Sequence, residues 1–351
     1  MEYKYHPETK EELKKLVKDE SIYLGDIDTS NITDMSLLFH KSTRKDFSGI
    51  EKWDTSNVTN MNGMFSSCRD FNQPVTFNTS NVKYMHGMFF KCNRFNQPIE
   101  FDTSKVTDMS YMFAGCGNFN QPLELDTSNV KNMSMMFAGC HEFNQPFEFD
   151  TSNVRNMSWM FFECDRFNQP IELDTSNVMD MSEMFRGCNN FNQSISFDTS
   201  NVRNMYGMFY ECYHFNQPIK FNTSKVRDML GMFEGCKEFN QPINFDTSKV
   251  TGRREMFIGC HDLPLETQAK VELGISNVTR GEPGIALKDA EVLKVSDNYT
   301  ALKKGNDTYI YNKEELNTRK ELEEDDHVNL SWPEGAPSAT VTPVPAQKLA
   351  R

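Results

Sequence analysis

The segment FNQPIEFDTSKVTDMSYMFAGC, from Phe95 to Cys116, decides the fold because near-copies of it fill most of the chain. The copies follow the consensus F-N-Q-P-I-x-F-D-T-S-N-V-x-x-M-x-x-M-F-x-G-C-x-x, a unit of 24 residues that occurs about ten times. A fixed period of this length is the signature of a protein built from stacked repeats, in which each unit buries its apolar residues against its neighbours.

Each unit carries the pattern of a short strand followed by a turn and a compact apolar segment. The P-I-x-F element alternates apolar and variable residues, which predicts a half-buried strand. D-T-S-N is typical of a turn or a helix N-cap. The segment V-x-x-M-x-x-M-F-x-G-C predicts a helix or a 3₁₀-like turn, which ends in a tight bend at the glycine. We therefore expect an α/β repeat, a leucine-rich-repeat-like solenoid with a parallel sheet of short strands.

The cysteines and methionines occupy fixed columns of the repeat and are expected in the core. Nine units carry one cysteine each, 24 residues after the last: Cys68, Cys92, Cys116, Cys140, Cys164, Cys188, Cys212, Cys236 and Cys260. Zinc sites and disulfide frameworks bring cysteines together at short spacings instead. Core packing is therefore favoured over redox or metal use, and we expect no metal and no cofactor.

Four regions follow from where the repeat begins and ends. Residues 1–27 are expected to form an N-terminal helix and capping strand, because Thr9 and Glu12 make a capping box ahead of Leu13. Residues 28–262 hold the repeats. Residues 263–333 are expected to form a C-terminal cap or a small β-rich module, with alternating residues such as Ala269, Val271 and Leu273 on a strand. Residues 334–351 are expected to be disordered.

Charge and composition exclude several functions. The formal net charge of −13 argues against nucleic-acid binding, which depends on Lys and Arg. No apolar stretch is long enough to span a membrane, and the basic, apolar opening of a secretory signal is missing, which predicts a cytoplasmic protein. The seven histidines fall at unrelated columns and no catalytic motif occurs. We expect a monomeric protein that is not an enzyme.

Columns that vary between repeats are the candidates for a binding surface. The variable strand position is glutamate in four successive units, and an aspartate column lies beside it: Glu100, Glu124, Glu148 and Glu172, with Asp102, Asp126, Asp150 and Asp174. Stacked like charges repel one another. A solvated face, a docking strip for a cationic protein partner and a calcium site all remain open, since aspartate also serves as a cap residue.

A second variable column carries bulky residues only in the middle of the repeats. It reads Gly63, Gly87, Tyr111, Met135, Trp159, Glu183, Gly207 and Gly231. Aromatic residues are favoured anchors in protein interfaces. Tyr111 and Trp159 are therefore candidate partner-binding residues, with packing under a loop as the alternative.

The consensus closely resembles the BspA-like leucine-rich-repeat surface proteins, a bacterial group with 24-residue repeats of the Treponema or Mycoplasma type, over about residues 21–262. The resemblance implies a right-handed solenoid, no catalytic residues, and a role in adhesion or other protein binding at the cell surface. The surface location contrasts with the cytoplasmic one predicted above. Two functions thus remain: a protein-binding scaffold that acts through its sheet face, or an intracellular structural or regulatory scaffold that acts through its C-terminal module.

Overall fold

The computed structural model describes residues 3–243, 245–274, 277–295, 299–318, 321–333 and 335–344. Within them, successive 24-residue units lie side by side and are joined by parallel bridges one residue long. Most bridges connect the residue that precedes the first methionine of each unit. The bridged residues are Asp34, Asn60 and Tyr84, followed by Asp108, Asn132, Asn156, Asp180, Asn204, Asp228 and Gly252.

The methionine-rich segment is a series of turns, so the helical alternative predicted for it is wrong. The N–H groups of Met109, Tyr111 and Phe113 donate to carbonyl groups of the next unit at 3.0, 3.0 and 2.9 Å. The intervening residues close tight turns within the unit, as when Met112 N–H donates to Met109 C=O at 3.2 Å. Because every second N–H points to the neighbouring unit, the hydrogen bonds of an α-helix cannot form. The described residues from 54 to 262 contain no α-helix.

The predicted strand segment contributes little of the pairing between units. Bridges occur there only between Ile99 and Leu123 and between Leu123 and Phe147, among the residues described. Each segment starts with a proline such as Pro98 in most units, and proline has no N–H to donate. The pairing between units is parallel as predicted, but it is concentrated in the turn segment.

The repeated apolar columns form one continuous core. Phe89, Phe113 and Phe137 belong to successive units and stack with ring centroids 5.8 Å apart at both steps. Burying one such ring contributes about 1.5–3 kcal/mol. Every cysteine is buried and unpaired, and Cys140 Sγ donates to Phe113 C=O at 3.1 Å. The cysteines are core residues, and their burial raises the pKa of the thiols.

Polar side chains tie the units together around this core. Asn120 Oδ1 accepts hydrogen bonds from Asn144 N–H at 2.9 Å and from Gln145 Nε2 at 3.2 Å. The same pattern recurs along the chain, so these Asn and Gln side chains form a hydrogen-bonded ladder between units. Thr103 is buried and its Oγ1 donates to Asp126 C=O in the next unit at 2.8 Å. These invariant polar residues therefore serve the scaffold.

The N-terminal end of the repeats is covered by helix α1, Lys10–Lys18. The predicted capping box of Thr9 and Glu12 is present, and Leu13 and Val17 pack into the common core. The buried Arg44 donates to the carbonyl groups of Val17 and Asp19 at 3.2 and 3.1 Å, which satisfies the carboxyl end of the helix. Short 3₁₀ helices follow at Leu24–Asp26 and Ile50–Lys52.

After the last repeat comes helix α2, Leu265–Leu273, where an alternating strand was expected. The strand prediction is wrong, since the segment is a helix, in which the buried Gln268 donates to Leu263 C=O at 2.8 Å. Val271 joins the core of the repeats, and its carbonyl accepts from Thr247 Oγ1 at 3.0 Å. Helix α2 thus packs directly on the final unit.

A seven-stranded mixed sheet follows, in the order β1-β4-β3-β2-β6-β7-β5. Pairs β1–β4 and β5–β7 are parallel and the others are antiparallel. The strands are β1 Val278–Arg280, β2 Ala286–Val295, β3 Tyr299–Lys304, β4 Asp307–Asn312, β5 Leu316–Thr318, β6 His327–Ser331 and β7 Ala339–Pro343, with a 3₁₀ helix at Lys313–Glu315.

Strand β7 corrects the prediction that residues 334–351 are disordered. Ala339 and Val341 are buried in the sheet, and pairing with β5 and β6 satisfies the backbone of β7. The low apolar content of the segment is offset by this non-local pairing, which local composition does not reveal. Residues 345–351 of the predicted tail lie outside the described residues.

Candidate functional site

The eight predicted acidic residues lie at the surface along the strand segments of four successive units. Their side chains are all exposed, and no ion pair of the described residues includes any of them. We call them the acidic strip: Glu100, Glu124, Glu148, Glu172, Asp102, Asp126, Asp150 and Asp174. Neighbouring parallel strands are about 4.8 Å apart, so the stacked carboxylates repel one another.

The aspartate half of the acidic strip is explained by the scaffold. Asp102 Oδ1 accepts from the N–H of Ser104 at 3.1 Å and from its Oγ at 2.6 Å, which closes a turn. The corresponding serine holds Asp150 in the same way. These hydrogen bonds lower the pKa of Asp102 and of Asp150. Among the described residues, no cluster of His, Cys, Asp or Glu side chains could hold a metal ion.

The glutamates of the acidic strip, in contrast, are not needed to hold the fold. Other units place Thr76, Ser196 or Lys220 in the same column, so the fold does not require glutamate there. A hollow of about 680 Å³ opens on the strip, lined in part by Phe147, Glu148 and Glu172. The structure thus brings part of the acidic strip together with an apolar ring.

Tyr111 and Trp159 share an unusual backbone conformation. Their φ angles are +61° and +60°, and Met135 between them has +56°. This left-handed region suits glycine and is costly for other residues. Units with glycine in the column adopt the same conformation, as Gly87 does at +57°. The fold would therefore accept glycine throughout, and the bulky side chains are additions at a cost in stability.

Each of the two aromatic residues has its own ring partners. The Tyr111 ring lies 5.3 Å from His86 and 5.9 Å from Phe90, in an edge arrangement with the latter. The Trp159 ring lies 4.8 Å from Phe162. Both aromatic residues are half-buried. Tyr111 and Trp159 thus belong to two separate aromatic clusters on the turn segments. Among the described residues, neither ring is paired with a ring of the strand segments, and neither residue lines the hollow on the acidic strip.

Sequence reasoning missed two of these ring partners, Phe90 and Phe162, because they stand in a different column, three positions later in the unit. That column reads Ser66, Phe90, Ala114, Ala138, Phe162, Arg186 and Tyr210, and its variability was the available signal. The Arg186 guanidinium lies over the rings of Phe162 and Tyr210, at 5.5 and 4.5 Å from their centroids. It also donates to Glu183 at 2.7 Å, while burial raises the pKa of Glu183.

These features define a tandem-repeat protein with parallel pairing between units and a mixed sheet beyond the last one. Three consecutive stretches, residues 11–101, 100–173 and 172–269, match the family described as Mycoplasma protein of unknown function, DUF285. The chain belongs to this family. Searches of curated proteins and of solved structures found no significant match. In the part of the chain that the structure describes, no helix is long and apolar enough to cross a bilayer.

Proposed function

We propose that this chain is a non-catalytic protein-binding scaffold, a right-handed solenoid of the BspA-like leucine-rich-repeat kind, that acts in adhesion or another partner interaction. Its invariant residues are buried or hydrogen-bonded between units, which leaves the variable columns to recognise a partner. The proposal rests chiefly on Glu100, Glu124, Glu148 and Glu172, four like charges on successive units that are exposed and unpaired.

A cationic protein is the partner that this charge pattern favours. A Lys or Arg side chain could place its head near Glu148 and Glu172 and lay its apolar stem on Phe147. Successive carboxylates would meet a partner with several basic side chains, and the repulsion among them would fall on binding. Such an interaction weakens as salt is added, because exposed charges are screened.

Two sets of substitutions, equal in charge, test the proposal. In the first set all four strip glutamates are changed to lysine. In the second, the same change is made at four exposed glutamates beyond the repeats: Glu282, Glu314, Glu321 and Glu324. The probe is a synthetic lysine-rich peptide, with binding followed by calorimetry at several salt concentrations.

We expect the strip variant to lose affinity by about tenfold or more, since each exposed ion pair contributes about 0.2–1 kcal/mol. The second variant should retain binding. Equal losses in both would show that only net charge matters and would refute the proposal. A loss confined to the second variant would favour a scaffold that acts through its C-terminal module.

A further inference from the structure

A hollow of about 460 Å³ lies on the turn segments, well apart in sequence from the acidic strip residues that line the other hollow. Its ends are formed by Leu37 and Tyr111, and Gly63 and Gly87 lie between them. All four residues occupy the column in which φ is positive. In this column, two successive units have glycine, and the absence of their side chains leaves a gap between Leu37 and Tyr111 of the flanking units.

At Gly87 the gap is open space rather than a tight glycine packing site. A Cβ atom added to Gly87 would come no closer than 3.5 Å to Phe90 and 3.8 Å to Tyr111, which is ordinary contact. A Cβ on Gly63 would come within 2.7 Å of Leu37 Cδ2, so the flexible end of the Leu37 side chain reaches over Gly63, and it would lie 3.5 Å from Ser66 Cβ. With units about 4.8 Å apart, two missing side chains leave a trough about 10 Å long. This length accommodates an indole or phenol ring.

The second pair of glycines in the column shows what a filled gap looks like. A Cβ on Gly207 would lie 3.2 Å from Glu183 Cγ, and a Cβ on Gly231 would lie 3.2 Å from Glu234 Oε2. Side chains of this chain, including Tyr210, therefore occupy the space near the second pair. At Gly87 the nearest neighbours of an added Cβ are only the Cβ atoms of Phe90 and Tyr111, and the end of Leu37 is the one side-chain end that reaches over Gly63.

The lining of the open gap selects a neutral aromatic group. None of its lining residues is Asp, Glu, Lys or Arg, although these make up 25% of the chain. A charged ligand would lose solvation there and find no carboxylate, ammonium or guanidinium partner, since the polar part of the lining is Ser36, Asn62, Ser66 and His86. Phe90 and Tyr111 already meet edge to face, at 81° between their planes. A further ring can join them in the offset and edge arrangements that aromatic groups prefer.

We infer that this hollow binds a neutral aromatic side chain presented by a protein or peptide. The exposure of Leu37, at 45%, shows that the hollow is open to solvent. A ring can enter it while the backbone that carries it stays outside. Sites for free small molecules usually bury most of the ligand surface, which an open trough of this kind does not. The inference does not depend on the charge of the acidic strip.

Two glycine variants in the same column provide a matched test. Gly87→Leu places a side chain in the hollow, and Gly207→Leu makes the same backbone change at the filled pair. The probes are N-acetyl-tryptophanamide, N-acetyl-leucinamide and free indole, each titrated against the full chain by saturation-transfer NMR. Circular dichroism establishes that both variants are folded.

We expect N-acetyl-tryptophanamide to bind with millimolar affinity and more tightly than N-acetyl-leucinamide. Gly87→Leu should weaken binding by about tenfold or more, as filling a pocket removes its contacts, while Gly207→Leu should leave it unchanged. Tyr111→Gly, which the column already accommodates, should also weaken it. Unchanged binding in Gly87→Leu, equal binding of the leucine probe, or binding of indole alone would overturn the inference. Lysine substitutions on the acidic strip should not affect these probes, so the two proposals can fail separately.

Discussion

Replacing Trp159 by glycine should stabilise the protein relative to replacing it by alanine. Both changes remove the contact between the indole ring and Phe162. The difference in stability between the two variants therefore reports the backbone preference at residue 159. Trp159 has a φ of +60°, where a residue with a Cβ is disfavoured by about 1–2 kcal/mol. The greater unfolded-state freedom of glycine offsets about 0.5–1 kcal/mol of this. The Gly variant should therefore be more stable than the Ala variant by about 0.5–1 kcal/mol.

Arg155 supplies the matched control on the same unit. It is exposed, and its φ lies outside the left-handed region. Its N–H donates to Lys131 C=O at 2.9 Å. Because this bond involves only the backbone, substitution by alanine or by glycine leaves it in place. Here the order should reverse, with Arg155→Ala more stable than Arg155→Gly by about 0.5–1 kcal/mol.

Urea unfolding of the four variants measures both differences. Repeats can unfold in stages, so midpoints are compared only between variants with equal dependence on urea. The reasoning is refuted if alanine matches or exceeds glycine at Trp159 while the Arg155 pair behaves as expected. That result would mean that the left-handed conformation carries no cost in this fold, and that the bulky residues of the column need no functional explanation.

Three further predictions concern the thiols, the amide ladder and acid stability. Burial raises the pKa of Cys68 and of Cys260 to about 12, so at pH 8 they should react with a thiol reagent about a thousandfold more slowly than in urea; reaction at the unfolded rate would contradict this. Asn120→Ala removes the acceptor of a backbone N–H and of a side-chain amide in the next unit, and should cost about 1–3 kcal/mol by urea unfolding; an unchanged midpoint would show that water replaces the asparagine. Hydrogen bonds from Ser152 lower the pKa of Asp150, so this carboxylate stabilises the fold above its unfolded pKa of about 3.9 and the contribution is lost as pH falls through the lower folded value. Ser152→Ala should raise that pKa, as measured by carboxyl NMR. The stabilising contribution should then be smaller, and its loss should be complete at a higher pH; an unchanged titration would exclude the serine as the cause.

The sequence predicts the buried columns well because each is marked by a repeated residue type. Cys140 and Phe113 lie in the core as their period indicates. The choice between helix and turn at Met109 could not be made in the same way, since both place residues three and four apart on one side. The deciding hydrogen bond runs from Met109 to Asn132 in the next unit. Local spacing contains no information about that partner.

The ends of the chain show the same limit. Helix α2 was missed although Gly274 follows it with a φ of +68°, which is a helix C-cap that the sequence could have suggested. The strand at Ala339 depends on pairing with β5 and β6, far away in sequence. For the candidate sites, the exposed glutamates follow from the alternating pattern. The hollow over Gly87 appears only when the flanking units are placed beside it.

The bonding pattern between units has a consequence for how such a protein can change over generations. Each unit donates N–H groups to the next unit and offers the equivalent carbonyl groups to the unit before it, as at Met109 and again at Met133. Gain or loss of one whole unit would therefore leave every remaining junction intact. It would also move the trough at Gly87 relative to the helix α2 end of the protein by about 4.8 Å. Recombination between units could thus adjust the distance between the proposed binding surfaces in fixed steps, without redesign of either surface.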